Sequence, residues 1–175
     1  MLRFARFALL AAAAAQFGSS ALAAPVAAES EVLADARILR ALSLEKLSNL
    51  DFGRIIIGNV IGTQAVGIDP INGDLVGCTN GLTCLGPAQR ASFFVHGTAD
   101  ARVRIYSGSS TLTNETGDTL VFSPSHPGST LLPSWPAAGS TAGRGFFAVG
   151  GYISLSATTP EGVYQGTVDV TVDYM

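Results

Sequence analysis

The stretch Gly162–Met175 restricts the fold of this chain more narrowly than any other. From Tyr164 onward, Gly166, Val168, Val170, Val172 and Tyr174 share one parity, while Thr167, Asp169, Thr171 and Asp173 share the other. Successive side chains of a strand point to opposite faces, so a repeat of two rich in Val and Thr reads as a half-buried β-strand. A segment that closes a sequence frays unless something pairs with it, which places this strand in the interior of a sheet. Burying three valines and a tyrosine contributes roughly 6–10 kcal/mol gross, at about 1.5–3 kcal/mol per side chain. That matches the whole net stability of a domain, so removal of the strand is expected to unfold the chain.

The other end carries a different signal. Arg3 and Arg6 precede an apolar run from Phe7 to Ala15, and Ala21-Leu22-Ala23 is a small-x-small cleavage pattern. This is the design of a secretory signal peptide over residues 1–23, with a run too short to span a membrane. Residues 24–175 are then expected to form one domain, with 24–35 a flexible extension. The signal takes Arg3 and Arg6 from the ten Lys/Arg and leaves thirteen Asp/Glu, so the exported part is acidic. A thinly charged acidic surface argues against nucleic acid and anionic membranes as partners. No cysteine at the cleavage point supports a lipid anchor, and no apolar tail supports membrane insertion. The expected location is the periplasm or the cell surface.

Between the ends, turn signals separate short alternating runs. Val32 to Glu45 alternates with one flaw at Arg40; its residue types would also suit a helix, but a strand agrees better with the rest of the chain. Arg54 to Ile57 and Thr63 to Asp69 read as strands, the second turning at Asn72-Gly73. Ala91 to Gly97 and Arg102 to Tyr106 alternate, with Ala91, Phe93 and Val95 inward and His96 outward. Ser109 to Thr113 and Thr119 to Ser123 flank a turn at Thr116-Gly117-Asp118. Ser123 to Gly145 is the one long irregular region, interrupted by Pro124, Pro127, Pro133 and Pro136. It holds Trp135, the sole tryptophan, read as a cap on the core edge, or otherwise as part of a surface binding loop. Phe146 to Leu155 resumes as a strand. The whole reads as an all-β, immunoglobulin-like Greek-key sandwich of about 8–10 short strands.

Cys78 and Cys84 are the only two cysteines, and in an exported chain a nearby pair reads as a disulfide. A two-residue turn at Asn80-Gly81 would face Cys78 with Thr83, so the bridge requires a longer loop or a bulge. No nucleophile–base elbow, zinc-protease helix or phosphate loop is present. Ser125-His126 has no orienting acid near it in sequence, and Asn114-Glu115-Thr116 matches a glycosylation sequon. The expectation is a non-enzymatic protein without metal or cofactor.

Several motifs carry a resemblance. Leu50-Asp51-Phe52-Gly53, Ile68-Asp69-Pro70, the two cysteines with Leu82-Thr83, and Ala91-Ser92-Phe93 occur in an order that resembles a bacterial exported family. Phe147-Ala148-Val149-Gly150-Gly151 and the closing strand extend the likeness to that family, domain of unknown function 4402, which carries no established activity. More distantly, Gly162 and Tyr174 are similar to the closing glycine and penultimate tyrosine of chaperone–usher pilins and spore coat protein U-like subunits. That likeness implies an incomplete sandwich assembled by strand donation, with Val32, Ala34, Ala36 and Ile38 as donor residues. It implies partners of two kinds, further copies of the same chain and a periplasmic chaperone. Arg40 departs from the donor pattern. The alternative is a self-complete sandwich that binds or adheres through residues 124–144.

Overall fold

The computed structural model describes residues 31–175, and the signal-peptide segment lies outside the described residues. Residues 37–175 form one compact unit, built of antiparallel strands with no helix among the described residues. In chain order these are β1 (Ser43–Ser48), β2 (Arg54–Ile57), β3 (Thr63–Ile68), β4 (Leu75–Val76), β5 (Leu82–Leu85) and β6 (Ala91–Thr98). Then follow β7 (Ala101–Ser107), β8 (Ser110–Thr113), β9 (Thr119–Ser125), β10 (Ser129–Leu132), β11 (Ala142–Ser156) and β12 (Val170–Tyr174). The all-β sandwich expected from the turn spacing is present, with more strands among the described residues than the expected eight to ten.

The longest strand, β11, organises the rest. Its first half, from Ala142 to Val149, pairs with β6, which in turn pairs with β1. Its second half pairs with β3 from Gly151 to Ser156 and with β9 from Gly150 to Ile153. The change of partner falls at Gly150-Gly151 because only glycine fits there. A Cβ on Gly150 would lie 1.9 Å from the Ile68 carbonyl oxygen, and one on Gly151 would lie 2.4 Å from that of Ser123.

Two cores form on either side of this junction. The first packs Phe93 and Val95 of β6 and Phe147 and Val149 of β11 against Val103 and Ile105 of β7 and Leu132 of β10. It fills the space between the β1–β6–β11 layer and a separate three-stranded sheet in the order β10–β7–β12. Phe93 and Phe147 stack at 5.2 Å between ring centroids. The second core packs Val66, Phe122, Ile153 and Leu155 with Leu82 and Val60, under the two-stranded β2–β5 sheet. Inward-facing residues alternate as the sequence requires: in β6 and β7, Phe93, Val95, Val103 and Ile105 are buried, while Arg102 and Arg104 are exposed.

Four expectations are corrected. The closing strand is shorter than its alternation, since only Val170–Tyr174 forms a ladder, and among the described residues it is an edge strand paired with β7 alone. Its valines and Tyr174 are half-buried, which follows from having one neighbour. The strand expected from Val32 to Glu45 begins only at Ser43; residues 31–36 carry no strand and are exposed. The reason lies opposite: β6, the partner of β1, ends at Thr98, so nothing remains for residues upstream of Arg40 to pair with. The region 123–145 is not irregular throughout, since it holds β10 and the start of β11. Trp135 does not cap the core; it is 51% exposed.

Candidate functional site

The sandwich around the first core is closed on one side and open on the other. On the closed side, β10 lies directly against β11. A Cβ on Gly143 or Gly145 would come within 2.6 Å of the Leu132 and Leu131 carbonyl oxygens respectively. The Trp135 amide donates to the Ala142 carbonyl at 2.8 Å and the Arg144 amide to that of Pro133 at 3.0 Å. The opposite side is bounded by β1 and β12, each the last strand of its sheet.

The phase of the β7–β12 ladder shows what that edge presents. Met175 donates its amide to the Arg102 carbonyl at 3.1 Å. In an antiparallel pair, bonded and non-bonded residues alternate, so Asp173 and Thr171 turn their main chain toward Arg104 and Tyr106 of β7. The amides and carbonyls of Val170, Val172 and Tyr174 therefore point away from β7, along the open edge. Side chains of the same three residues, with Leu42 and Leu44 from the β1 side, pack on the first core while only partly buried. A row of peptide groups unpaired among the described residues, over a half-covered apolar floor, is a template for another strand.

One tie spans the opening. The Tyr174 hydroxyl accepts from the Thr98 amide at 2.7 Å and donates to the Arg40 carbonyl at 2.8 Å. The space for that hydroxyl exists because position 97 is glycine; a Cβ there would be 2.4 Å from it. Nothing in the alternation of the closing strand foretold this tie, since it joins residues 134 apart in sequence.

Gly162, the other half of the pilin-like spacing, is not near this tie among its contacts. It has φ 150°, and a Cβ on it would meet the side chain of Asn114 at 3.0 Å. Asn114 is buried, and its side chain organises the β8–β9 turn. The side-chain oxygen accepts from the amides of Thr116 and Asp118 at 3.1 and 2.8 Å, and the nitrogen donates to the Asp118 carboxylate at 3.1 Å. The sequon asparagine is thus a turn residue whose amide nitrogen is already engaged.

Of the proposed donor residues, Val32 is 86% exposed and Ile38 is 92% exposed, and Ala34 and Ala36 are exposed. Cys78 and Cys84 are bonded, with Cα atoms 5.8 Å apart. The register conflict at Asn80-Gly81 is resolved by ending the ladder early. The Leu82 amide closes a tight turn on the Thr79 carbonyl at 3.1 Å, with Asn80 and Gly81 both at positive φ. The chain kinks at Gly77, φ 86°, so β4 pairs with β3 and β5 with β2 instead of with each other. His126 hydrogen-bonds to the Pro127 carbonyl at 3.0 Å. Among the described residues no group of three or more His, Cys, Asp and Glu is placed to hold a metal ion.

A second constellation lies on the outer face of the β1–β6–β11 layer. His96 and Arg144 are direct neighbours across β6 and β11, and Phe94 and Phe146 form the next row. The Arg144 guanidinium lies 3.4 Å from the Phe94 ring centroid and 5.1 Å from that of Trp135. Phe94 and Phe146 meet edge-on at 5.8 Å. His96 faces Glu45 at 3.2 Å. Sequence reading missed this cluster because Trp135 and Arg144 come from a stretch whose prolines and glycines hid the strands that position them.

The sequence matches the family described as Domain of unknown function (DUF4402) over residues 42–174. No curated protein and no solved structure matches the chain. The matched span opens at Leu42, just ahead of β1, and closes at Tyr174 in β12, taking in both cores and the disulfide. The chain therefore belongs to the DUF4402 family.

Proposed function

We propose that the chain is an exported, non-enzymatic structural subunit, in which residues 32–38 of one copy fill the β1/β12 opening of the next. The observation that carries this reading is the outer edge of β12, where the peptide groups of Val170, Val172 and Tyr174 have no strand partner among the described residues and lie above half-buried apolar side chains. Strand addition uses two complementary parts: main-chain hydrogen bonds to an exposed edge and alternate side chains seated on its floor. Val32, Ala34, Ala36 and Ile38 have the required parity and stand exposed. Seating the valine and isoleucine contributes roughly 3–6 kcal/mol gross. Arg40, awkward within a donor strand, falls outside it, because its carbonyl is held by Tyr174. A head-to-tail contact of this kind does not close on itself and builds a fibre. An unfilled edge also invites mispairing, so a periplasmic chaperone that covers it before assembly belongs to the same reading. The disulfide agrees with export to an oxidising compartment.

The exposure of Trp135 favours a second role for the same fold, ligand binding through residues 124–144. The two roles draw on different segments, residues 32–38 and residues 124–144. The test of the first is native size and resistance to SDS of the exported protein with and without residues 31–38, a deletion that leaves Arg40 in place. A ladder of oligomers that collapses to monomer on deletion is expected. A monodisperse, equally stable monomer in both forms overturns the proposal.

A further inference from the structure

We infer that the depression beside Trp135 is a binding site for a carboxylated sugar, a uronic or sialic acid unit of a glycan. The inference deepens the binding role of residues 124–144 and does not depend on strand donation. The depression is open to solvent and spans about 380 Å³, a volume within the range of small-ligand sites. It is lined by the side chains of Arg40, His96 and Trp135 and by the small residues Ala41, Gly97, Ala142 and Gly143.

Three features of the walls select the ligand. Trp135 offers a large, flat, half-exposed indole, a surface on which the apolar C–H face of a pyranose ring can lie. The indole is backed by the Arg144 guanidinium, itself stacked on Phe94. Arginine charge gathers here in a chain whose net charge is −3. Among the described residues neither Arg40 nor Arg144 forms an ion pair, and Glu45 is engaged with His96. The Arg40 guanidinium donates one hydrogen bond among the described residues, to the Thr141 hydroxyl at 2.8 Å, leaving its other donors open there. The Arg144 Nε is buried with no hydrogen-bond partner among the described residues. Of the two arginines only Arg40 lines the depression, and a guanidinium without a carboxylate partner beside a planar aromatic suits a ligand that combines a ring with an anionic group.

The native chain supplies its own reporter, since Trp135 is its only tryptophan. The full exported protein is titrated with sodium glucuronate and sodium N-acetylneuraminate, against glucose and sodium acetate, while tryptophan fluorescence is followed. Amide shifts of His96, Gly97 and Gly143 are recorded in parallel. A saturable response to one or both sugar acids, absent with glucose and acetate, is expected; which acid responds identifies the glycan type. Arg40→Gln is expected to weaken that response about tenfold or more, as loss of a charge-assisted pair does. Trp135→Phe removes the optical signal, so the amide shifts report for that variant, and weaker binding is expected there too. Equal response to acetate shows an anion site without ring recognition, and equal response to glucose a sugar site without charge recognition. Either overturns the sugar-acid assignment while leaving a ligand site in place. No saturable change with any probe up to roughly 100 mM, far above the millimolar range of weak sites, overturns the binding role as well.

Discussion

Tyr174 is the side chain on which the open side of the molecule depends. Its ring packs on the first core, and its hydroxyl joins the Thr98 amide to the Arg40 carbonyl. Tyr174→Phe keeps the ring and leaves a half-buried amide without its acceptor, which costs about 1–3 kcal/mol, to be read from urea unfolding; an unchanged midpoint contradicts the role given to the hydroxyl. A second residue-scale prediction concerns Asp118. Its carboxyl is held below the ordinary value of 3.8, chiefly by the hydrogen bond from the Thr116 hydroxyl and then by that from Asn114. The folded chain thus binds this proton more weakly than the unfolded one. The resulting stabilisation is present above the unfolded value and is lost as pH falls through the folded value. Asp118→Asn is therefore expected to lower the melting temperature near neutral pH, with a difference that shrinks on acidification below the ordinary carboxylate range. A difference independent of pH contradicts the assignment.

At the scale of elements, β11 connects the two cores, and Gly150 is the point where it exchanges one partner for others. Gly150→Ala would drive a Cβ into backbone, 1.9 Å from the Ile68 oxygen and 2.9 Å from the Pro70 nitrogen. Neither atom can swing aside as a side chain could, so a loss of about 3 kcal/mol is expected, measured by denaturant unfolding; a change within error contradicts the close approach. The elements also show what a sequence can carry. Strands β6 and β7 were legible from parity, because alternate residues are buried along each; β3 and β8 were legible only through the turn signals that bound them. The disulfide was legible from count and spacing. The junction in β11 was half legible: Gly150-Gly151 was visible within a strand, but its change of partner was not. Strand β10 was hidden because Pro127 and Pro133 flank it closely. The closing strand misled through its own regularity, since a period of two records which face is buried but not how many edges are paired.

For the molecule as a whole, the asymmetry between a closed β10/β11 side and an open β1/β12 side is the feature with functional consequence. The site residues named from sequence fall into three groups. Cys78 and Cys84 join in a covalent link beside the second core. Tyr174 lies at the opening, and Gly162 supports the Asn114 turn elsewhere. The donor residues stand exposed, outside any strand. No property of a single chain's alternation could distinguish a strand paired within its own chain from one paired with another, since the hydrogen bonds and side-chain parity are the same. Amide hydrogen exchange at Val170 and Val172 addresses that distinction most directly, because these amides face the open edge and slow exchange requires a partner. In the full-length exported protein both amides are predicted to be protected to the level of the β7 ladder, and to exchange rapidly once residues 31–38 are deleted. Equal exchange in the two forms, fast or slow, would contradict strand donation between copies.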